Sequence, residues 1–398
     1  ADIYSELLVV DKISMTDNFF EKGGHSLLAA KLVSRIRQIF SCDISLKIIF
    51  SHPTVSELSS YIACHEQKPH SIIPKANRAT QLPLSFAQQR LWFLDQFLAE
   101  KGMYNIPVAF KIKGMLNVDA LQKSFNDIIN RHEVFRTGFY EEKGRGVICI
   151  QPSIDFHIQQ FPFSLCANSN SVEAIVKNMA SDPFDLTSPP LLRVAMLDIG
   201  NEESILLITM HHIISDGWSM GIFFRELFTL YNAYAENKEV SLPELPIQYA
   251  DFAIWQRNWL QGEVLENQLS YWKQQLIGIP DILELPTDKL RPKELSYLGD
   301  TYRINISQDI KGHLNKLAQK HDVSLFMTML AAFQILLYRY SGQKDIVVGS
   351  PIALVPQSSE YAYSAQVVAK NINTYDLWLR SSAIIQDTSL ILKKLRTK

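Results

Sequence analysis

The sequence predicts a multidomain chain, a small all-α helical bundle followed by a larger α/β domain. Three observations carry that expectation. The chain has 398 residues, too many for one ordinary hydrophobic core. Residues 1–66 space their apolar side chains only as helices do, whereas from residue 82 apolar strands alternate with amphipathic helices, the order of a layered α/β fold. Residues 67–81 lie between, polar, with two prolines and no period, as a linker does.

In the first domain Ile3, Leu7, Leu8 and Val10 mark one helix. Leu28, Leu32, Val33, Ile36 and Ile39 mark a second, and Val55, Leu58, Tyr61 and Ile62 a third. Thr54, with Glu57 three residues on, is a capping-box signature for the last. Between the first two helices Gly23 and Gly24 permit a tight turn, and Ser26 falls at the head of the second helix. A serine there is by default an N-cap. The whole string DNFFEKGGHSLL (17–28), however, resembles the attachment motif of the peptidyl carrier domains of nonribosomal peptide synthetases. The resemblance implies that Ser26 carries a 4′-phosphopantetheine arm. A phosphodiester at a helix N-terminus would meet unpaired N–H groups and the positive end of the helix dipole. His25 is expected to be a loop residue supporting that environment.

In the second domain Ser85–Leu94 reads as a short helix, Val108–Ile112 as a strand, and Leu121, Phe125, Ile128 and Ile129 as one helical face. Residues 171–181 read as helix, Leu191–Asp198 and Ser204–His211 as strands, and Gly217–Glu236 as a long amphipathic helix. Val323–Tyr340 reads as a buried helix, through Leu325, Met329, Phe333, Leu336 and Leu337.

The apolar run Ile205–Met210 ends in His211 and His212, followed by Ile213, Ile214, Ser215, Asp216, Gly217 and Trp218. That is a strand delivering an imidazole to an edge, then a turn. Histidine exchanges a proton near neutral pH, so one at a strand end is a candidate general base. No metal is expected, because adjacent strand residues point to opposite faces and no third ligand stands at a convincing spacing.

Six blocks then stand in order: SFAQQRLWFL (85–94), RHEVFRTGF (131–139), MHHIISDGWS (210–219), YADFAIWQ (249–256), YWKQQLIGIPDILELPTD (271–288) and KDIVVGSPIA (344–353). Together they resemble the condensation domain of nonribosomal peptide synthetases, whose fold is like that of chloramphenicol acetyltransferase. The resemblance implies that an acceptor amine attacks a donor thioester to form an amide. His212 would face the channel where the substrates meet, and would remove the amine proton or hold the amine in line. His211 would face the interior as support. Asp216 would form a structural ion pair with Arg136 or Arg131 rather than act as a triad acid. Gly217 allows close backbone approach, and its N–H opens the next helix where a substrate carbonyl could be held. Trp218 reads as a core aromatic, which the family places near the channel. Within the superfamily, HHIISDGWS fits condensation of an L-configured donor best.

The expected domains are a carrier over 1–66, a linker over 67–81 and a condensation domain over 82–353, its N-terminal lobe ending near 290. Residues 354–398 match none of the family's later blocks and read as foreign, as a shifted reading frame would. The second lobe is therefore expected to be incomplete, leaving apolar surface over 298–353 uncovered. An alternative reading leaves only the carrier functional, beside a catalytically dead condensation remnant. Expected partners are a phosphopantetheinyl transferase, an upstream adenylation domain and a downstream acceptor carrier domain.

Composition narrows the remaining classes. With 47% apolar residues, 20% charged and a net charge of −2, there is no basic footprint for nucleic acid. No apolar run is long enough to span a bilayer, and no signal peptide opens the chain. Cys42, Cys64, Cys149 and Cys166 are scattered like the free thiols of a cytoplasmic protein. Starting at Ala1 without a methionine, the chain is expected to be a piece of something longer.

Overall fold

The computed structural model describes residues 1–64, 73–97, 101–166, 169–289, 302–349 and 378–380, apart from positions 9, 11, 25, 41, 43, 45, 303, 322 and 324. Its contacts divide into two units. One comprises Ala1–Ser71, Gly262–Pro351 and Asn373–Lys398, the other Ile72–Gln261 and Ile352–Ile372.

The first unit opens with the expected helical bundle. Helices α1 (Asp2–Leu8), α2 (Ser26–Phe40), α3 (Leu46–Ser51) and α4 (Val55–Cys64) enclose Tyr4, Phe19, Leu32, Ile36, Ile49 and Leu58. Phe19 is fully buried and meets the Tyr4 ring edge-on at 4.9 Å. The α4 capping box forms: the Glu57 N–H donates to Thr54 Oγ1 at 3.2 Å, and the Thr54 N–H to Glu57 Oε2 at 3.1 Å. Helix α3, six residues long, is too short for a helical period to reveal.

The second unit is the α/β body. Its elements are β1 (Leu82–Pro83), α5 (Phe86–Phe97), β2 (Asn105–Lys113), α6 (Val118–Arg131), β3 (Thr137–Glu142), β4 (Arg145–Ile150) and β5 (Gln159–Phe161). Then come α7 (Phe163–Cys166), α8 (Ser169–Ser181), β6 (Leu192–Gly200), β7 (Glu203–His211), α9 (Gly217–Ala235) and α10 (Tyr249–Trp259). A four-stranded sheet runs β2-β7-β6-β5, antiparallel except for the β5–β6 pair, and a three-stranded sheet runs β1-β4-β3.

Strand β7 is central and covered on both faces, so its sequence is apolar almost throughout rather than alternating with polar residues. Leu206, Ile208 and Met210 join the cluster that includes Phe125 of α6 and Phe223 of α9, whose rings are 5.9 Å apart. Leu207 joins Cys166 of α7, Met179 of α8 and Leu197 of β6 on the opposite face.

Back in the first unit, α11 (Gly262–Gln275), α12 (Gln308–Lys320) and α13 (Leu325–Ser341) precede a short β8 (Val347–Gly349) that pairs antiparallel with β9 (Trp378–Arg380). Helix α13 forms, but not as the buried helix expected. Leu325, Met329, Phe333 and Leu336 are 36–50% exposed, while Thr328, Leu330 and Gln334 are buried. Among the described residues no element covers the apolar stripe.

In the second unit the run from Ile72 ends at Gln261, and Gly262–Pro351 group with the first unit. Within the stretch read as linker, Ile73 is buried in the body's core and the Ala76 N–H donates to Asp251 Oδ1 at 2.7 Å. Of the tail after 353, everything but β9 lies outside the described residues.

Candidate active site

The loop before α2 is built from the glycines outward. Gly23 has φ +104°, a left-handed backbone that glycine adopts without strain. At Gly24 an added Cβ would lie 2.4 Å from the Phe19 ring and 2.5 Å from the Phe19 carbonyl oxygen. Phe19 is itself held, its N–H donating to Pro53 O at 2.9 Å, and Gly24 N–H donates to Phe19 O at 2.9 Å. The loop is thereby fixed to the start of α4 and delivers Ser26 as the first residue of the fifteen-residue α2, whose first turn carries no acidic residue. His25 and the Ser26 side chain lie outside the described residues. A phosphodiester on Ser26 fits this frame: it would stand at the N-terminus of α2, where a helix leaves N–H groups without intrahelical acceptors, with no carboxylate in the first turn to repel it.

The second site sits where β7 ends. His211 N–H donates to Leu191 O at 3.0 Å and His212 N–H to Tyr104 O at 2.8 Å, so both flanking segments hold the turn. Ile213 and Ile214, both buried, pin it from below. The two histidines then part. His211 is fully buried, with the rings of Tyr104 and Phe184 each just over 6 Å from its own. The Ile213 N–H donates to its Nδ1 at 3.1 Å, which places the ring proton on Nε2. Burial, with the neighbouring His212 adding to it, pushes His211 down to about 3. It is neutral at pH 7 and far too weak a base for proton abstraction there. His212, one residue beyond the strand, is only half-buried. Phe184 also lines a cleft of about 550 Å³ with Trp92, Phe139 and Tyr140.

Asp216 is buried, but the expected ion pair with Arg136 or Arg131 does not form. Asp216 Oδ1 instead accepts the Ser219 N–H at 2.8 Å and the Ser219 hydroxyl at 2.7 Å, while the Asp216 N–H donates to Ser219 Oγ at 2.7 Å. Asp216 is the N-cap of α9. Arg136 is used elsewhere: its guanidinium donates to the carbonyls of Ile129, Asn130, Gln151 and Pro152, tying the end of α6 to the exit of β4. Arg131 pairs with Glu226 of α9 at 3.4 Å. Gly217, exposed at the head of α9, makes no hydrogen bond through its N–H within the described residues. The Trp218 side chain lies outside them.

Sequence reasoning missed Ser219, His132 and Glu226. Ser219 carried a signal, an Asp-x-x-Ser string opening a helix. His132 and Glu226, 94 residues apart, carried none: His132 Nε2 donates to Glu226 Oε2 at 2.7 Å with both side chains buried. Burial holds His132 below its ordinary range, hence neutral. Burial raises Glu226, but the hydrogen bond from His132 and the bond and charge of Arg131 outweigh that and hold it below its ordinary value.

The family model of the condensation domain matches residues 78–396, and that of the phosphopantetheine attachment site matches residues 1–62. The chain belongs to the condensation-domain family. Ahead of its condensation domain it carries a phosphopantetheine attachment domain, whose covalent cofactor is 4′-phosphopantetheine. The condensation match runs past residue 353 and takes in most of the segment read as foreign. One of the linear gramicidin synthase proteins of Brevibacillus parabrevis is 44% identical over 360 residues, covering 89% of this chain and 7% of its own length. Gramicidin S synthase 2 of Aneurinibacillus migulanus is 36% identical over 377 residues, covering 95% of this chain and 8% of itself. The chain therefore spans less than a tenth of the length of these relatives. A chain in the complex of the X-domain and OxyB from teicoplanin biosynthesis superimposes with a TM-score of 0.68 at 23% identity, covering 81% of this chain and 73% of that one, and so shares the fold. This condensation domain has the acetyltransferase-like α/β architecture expected, preceded by a helical carrier.

Proposed function

We propose that this chain is a carrier–condensation segment working in nonribosomal peptide synthesis, with His212 as its catalytic residue. The observation that carries the reading is the division between the two histidines. His211 is buried, neutral and locked by Ile213, whereas His212 is presented, half-buried, at the end of the same strand. Attached to Ser26, the arm supplies a terminal thiol that holds the donor acyl group as a thioester. His212 takes the proton of the acceptor amine, or holds that amine in line, as the new carbon–nitrogen bond forms and the carbon–sulfur bond breaks. The Gly217 N–H, at the positive end of α9, is a donor for the carbonyl oxygen as charge builds on it. His211, Asp216, Arg131 and Arg136 hold the frame, and Trp218 belongs beside the channel.

The proposed carrier spans 1–66 and the condensation domain extends to 353. A phosphopantetheinyl transferase installs the arm, an upstream adenylation domain supplies an L-configured donor, and a downstream carrier presents the acceptor. No helix among the described residues is long and apolar enough to cross a membrane, and a cytoplasmic location is proposed.

The test has two steps. Intact mass after treatment with a phosphopantetheinyl transferase and coenzyme A should rise by one arm in the native chain and not in Ser26→Ala. The donor-loaded chain, mixed with an acceptor-loaded carrier, should then yield an amide product. An arm without product would leave the alternative, a carrier beside an inactive condensation domain. No arm would overturn the carrier assignment.

A further inference from the structure

The segment that enters the condensation domain is held by charge. Asp251, in the first turn of α10, has a side chain only 2% exposed, and three donors converge on it. The Ala76 N–H reaches Oδ1 at 2.7 Å, Arg78 Nη1 reaches the same oxygen at 2.6 Å, and the Gln248 N–H reaches Oδ2 at 2.7 Å. The other edge of the Arg78 guanidinium faces Glu133, Nη2 and Nε lying 2.8 and 3.1 Å from Oε2. Nη1 also donates to Ala76 O at 3.0 Å, closing the strap on itself. Just upstream, Ile73 is 6% exposed within the domain core. A planar five-donor fork bridging two carboxylates is a bond that a lysine could not reproduce.

We propose that Arg78, Asp251 and Glu133 form an anchor that fixes Ile73–Arg78 to the condensation domain, so that the stretch joining the carrier to it ends before Ile73 and not at residue 81. The functional meaning rests on the reading of 1–66 as a carrier that serves this domain. The six residues 67–72 can reach at most about 20 Å, against about 50 Å for the fifteen of 67–81. Tether length sets the effective concentration of an attached carrier, which falls roughly as its −3/2 power beyond the optimal span. Release of the strap would therefore dilute the carrier about fourfold. Arg78 acts as a positioning residue for delivery, without touching substrate.

Limited proteolysis of the full chain tests the anchor without relying on condensation activity. Trypsin can cut after Lys75, inside the strap, and after Lys143, in the β3–β4 turn, which serves as an internal reference. In Arg78→Gln, cleavage after Lys75 should accelerate about tenfold or more, the scale of a lost charge-assisted hydrogen bond. Cleavage after Lys143 should stay as in the native chain below the melting temperature, which itself should fall because Asp251 loses a charged partner, and Arg78→Lys should fall between. Glu133→Gln, which leaves every Asp251 bond in place, should accelerate the Lys75 cut more weakly. Equal Lys75 cleavage in the native chain and both glutamine variants would overturn the anchor. So would an acceleration matched after Lys143, which would mean general loosening. Failure of amide formation with the Lys75 protection intact would instead count against the functional reading alone.

Discussion

Asp216 and Ser219 cap each other, with the Asp216 carboxylate on the Ser219 N–H at 2.8 Å and the Ser219 hydroxyl on the Asp216 N–H at 2.7 Å. The aspartate of the HHxxxD string thus starts α9. Asp216→Ala should lose about 1–2 kcal/mol in urea unfolding, and Asp216→Asn, which can still cap, only a fraction of that. Asp216→Asn should keep amide formation within a few-fold. A stably folded Asp216→Asn with no activity would place the carboxylate in the chemistry.

The burial of His211 should make the body less stable in acid. Its folded pKa, about 3, lies below the ordinary 6.5, so the unfolded chain binds the extra proton. The stabilisation is complete above pH 6.5 and is lost as pH falls, by up to about 1.4 kcal/mol per unit toward pH 3. His132, also lowered, adds with the same sign. Denaturant unfolding followed from pH 7.5 to 5 should show this slope, and His211→Leu should flatten it. A native chain equally stable across that range would contradict the desolvated pair.

Two partnered carboxylates in the body should differ sharply. His132→Leu strips a buried partner from Glu226 and should destabilise the chain by about 3–5 kcal/mol. Lys111→Ala, at a pair whose lysine side chain is 55% exposed, should change stability by less than about 1 kcal/mol. Equal losses at the two sites would contradict the burial assigned to Glu226.

At the carrier loop, Gly24→Ala sets a methyl 2.5 Å from a backbone oxygen that cannot swing away. A loss of about 1–3 kcal/mol is expected, together with slower arm attachment at Ser26 read by intact mass. Unchanged stability and loading would show that the close approach of Gly24 to Phe19 is not required.

Much of this was legible because the signals are local. Helices α2, α4, α6 and α9 repeat their apolar residues at helical spacing, and the end of β7 at His211, with His212 and the turn after it, can be read from nine residues. What failed was long-range or compensatory. The partner of Asp216 is three residues away, but its charge suggested an arginine, and Arg136 is occupied by four backbone carbonyls. The strap at 73–78 looks like linker because it is polar, yet its polarity is what Asp251 and Glu133 hold. Helix α13 has the composition of a core helix, and composition does not say whether a neighbour covers it.

The central claim is that His212, and not His211, is the residue that acts on the acceptor amine. Single-turnover amide formation by the donor-loaded chain, compared between native and His212→Ala proteins of equal melting temperature, tests it most directly. The rate should fall about 10²–10⁴-fold, the range of a lost general base, while arm attachment at Ser26 is unchanged. A His212→Ala chain that forms the amide at the native rate would contradict the assignment.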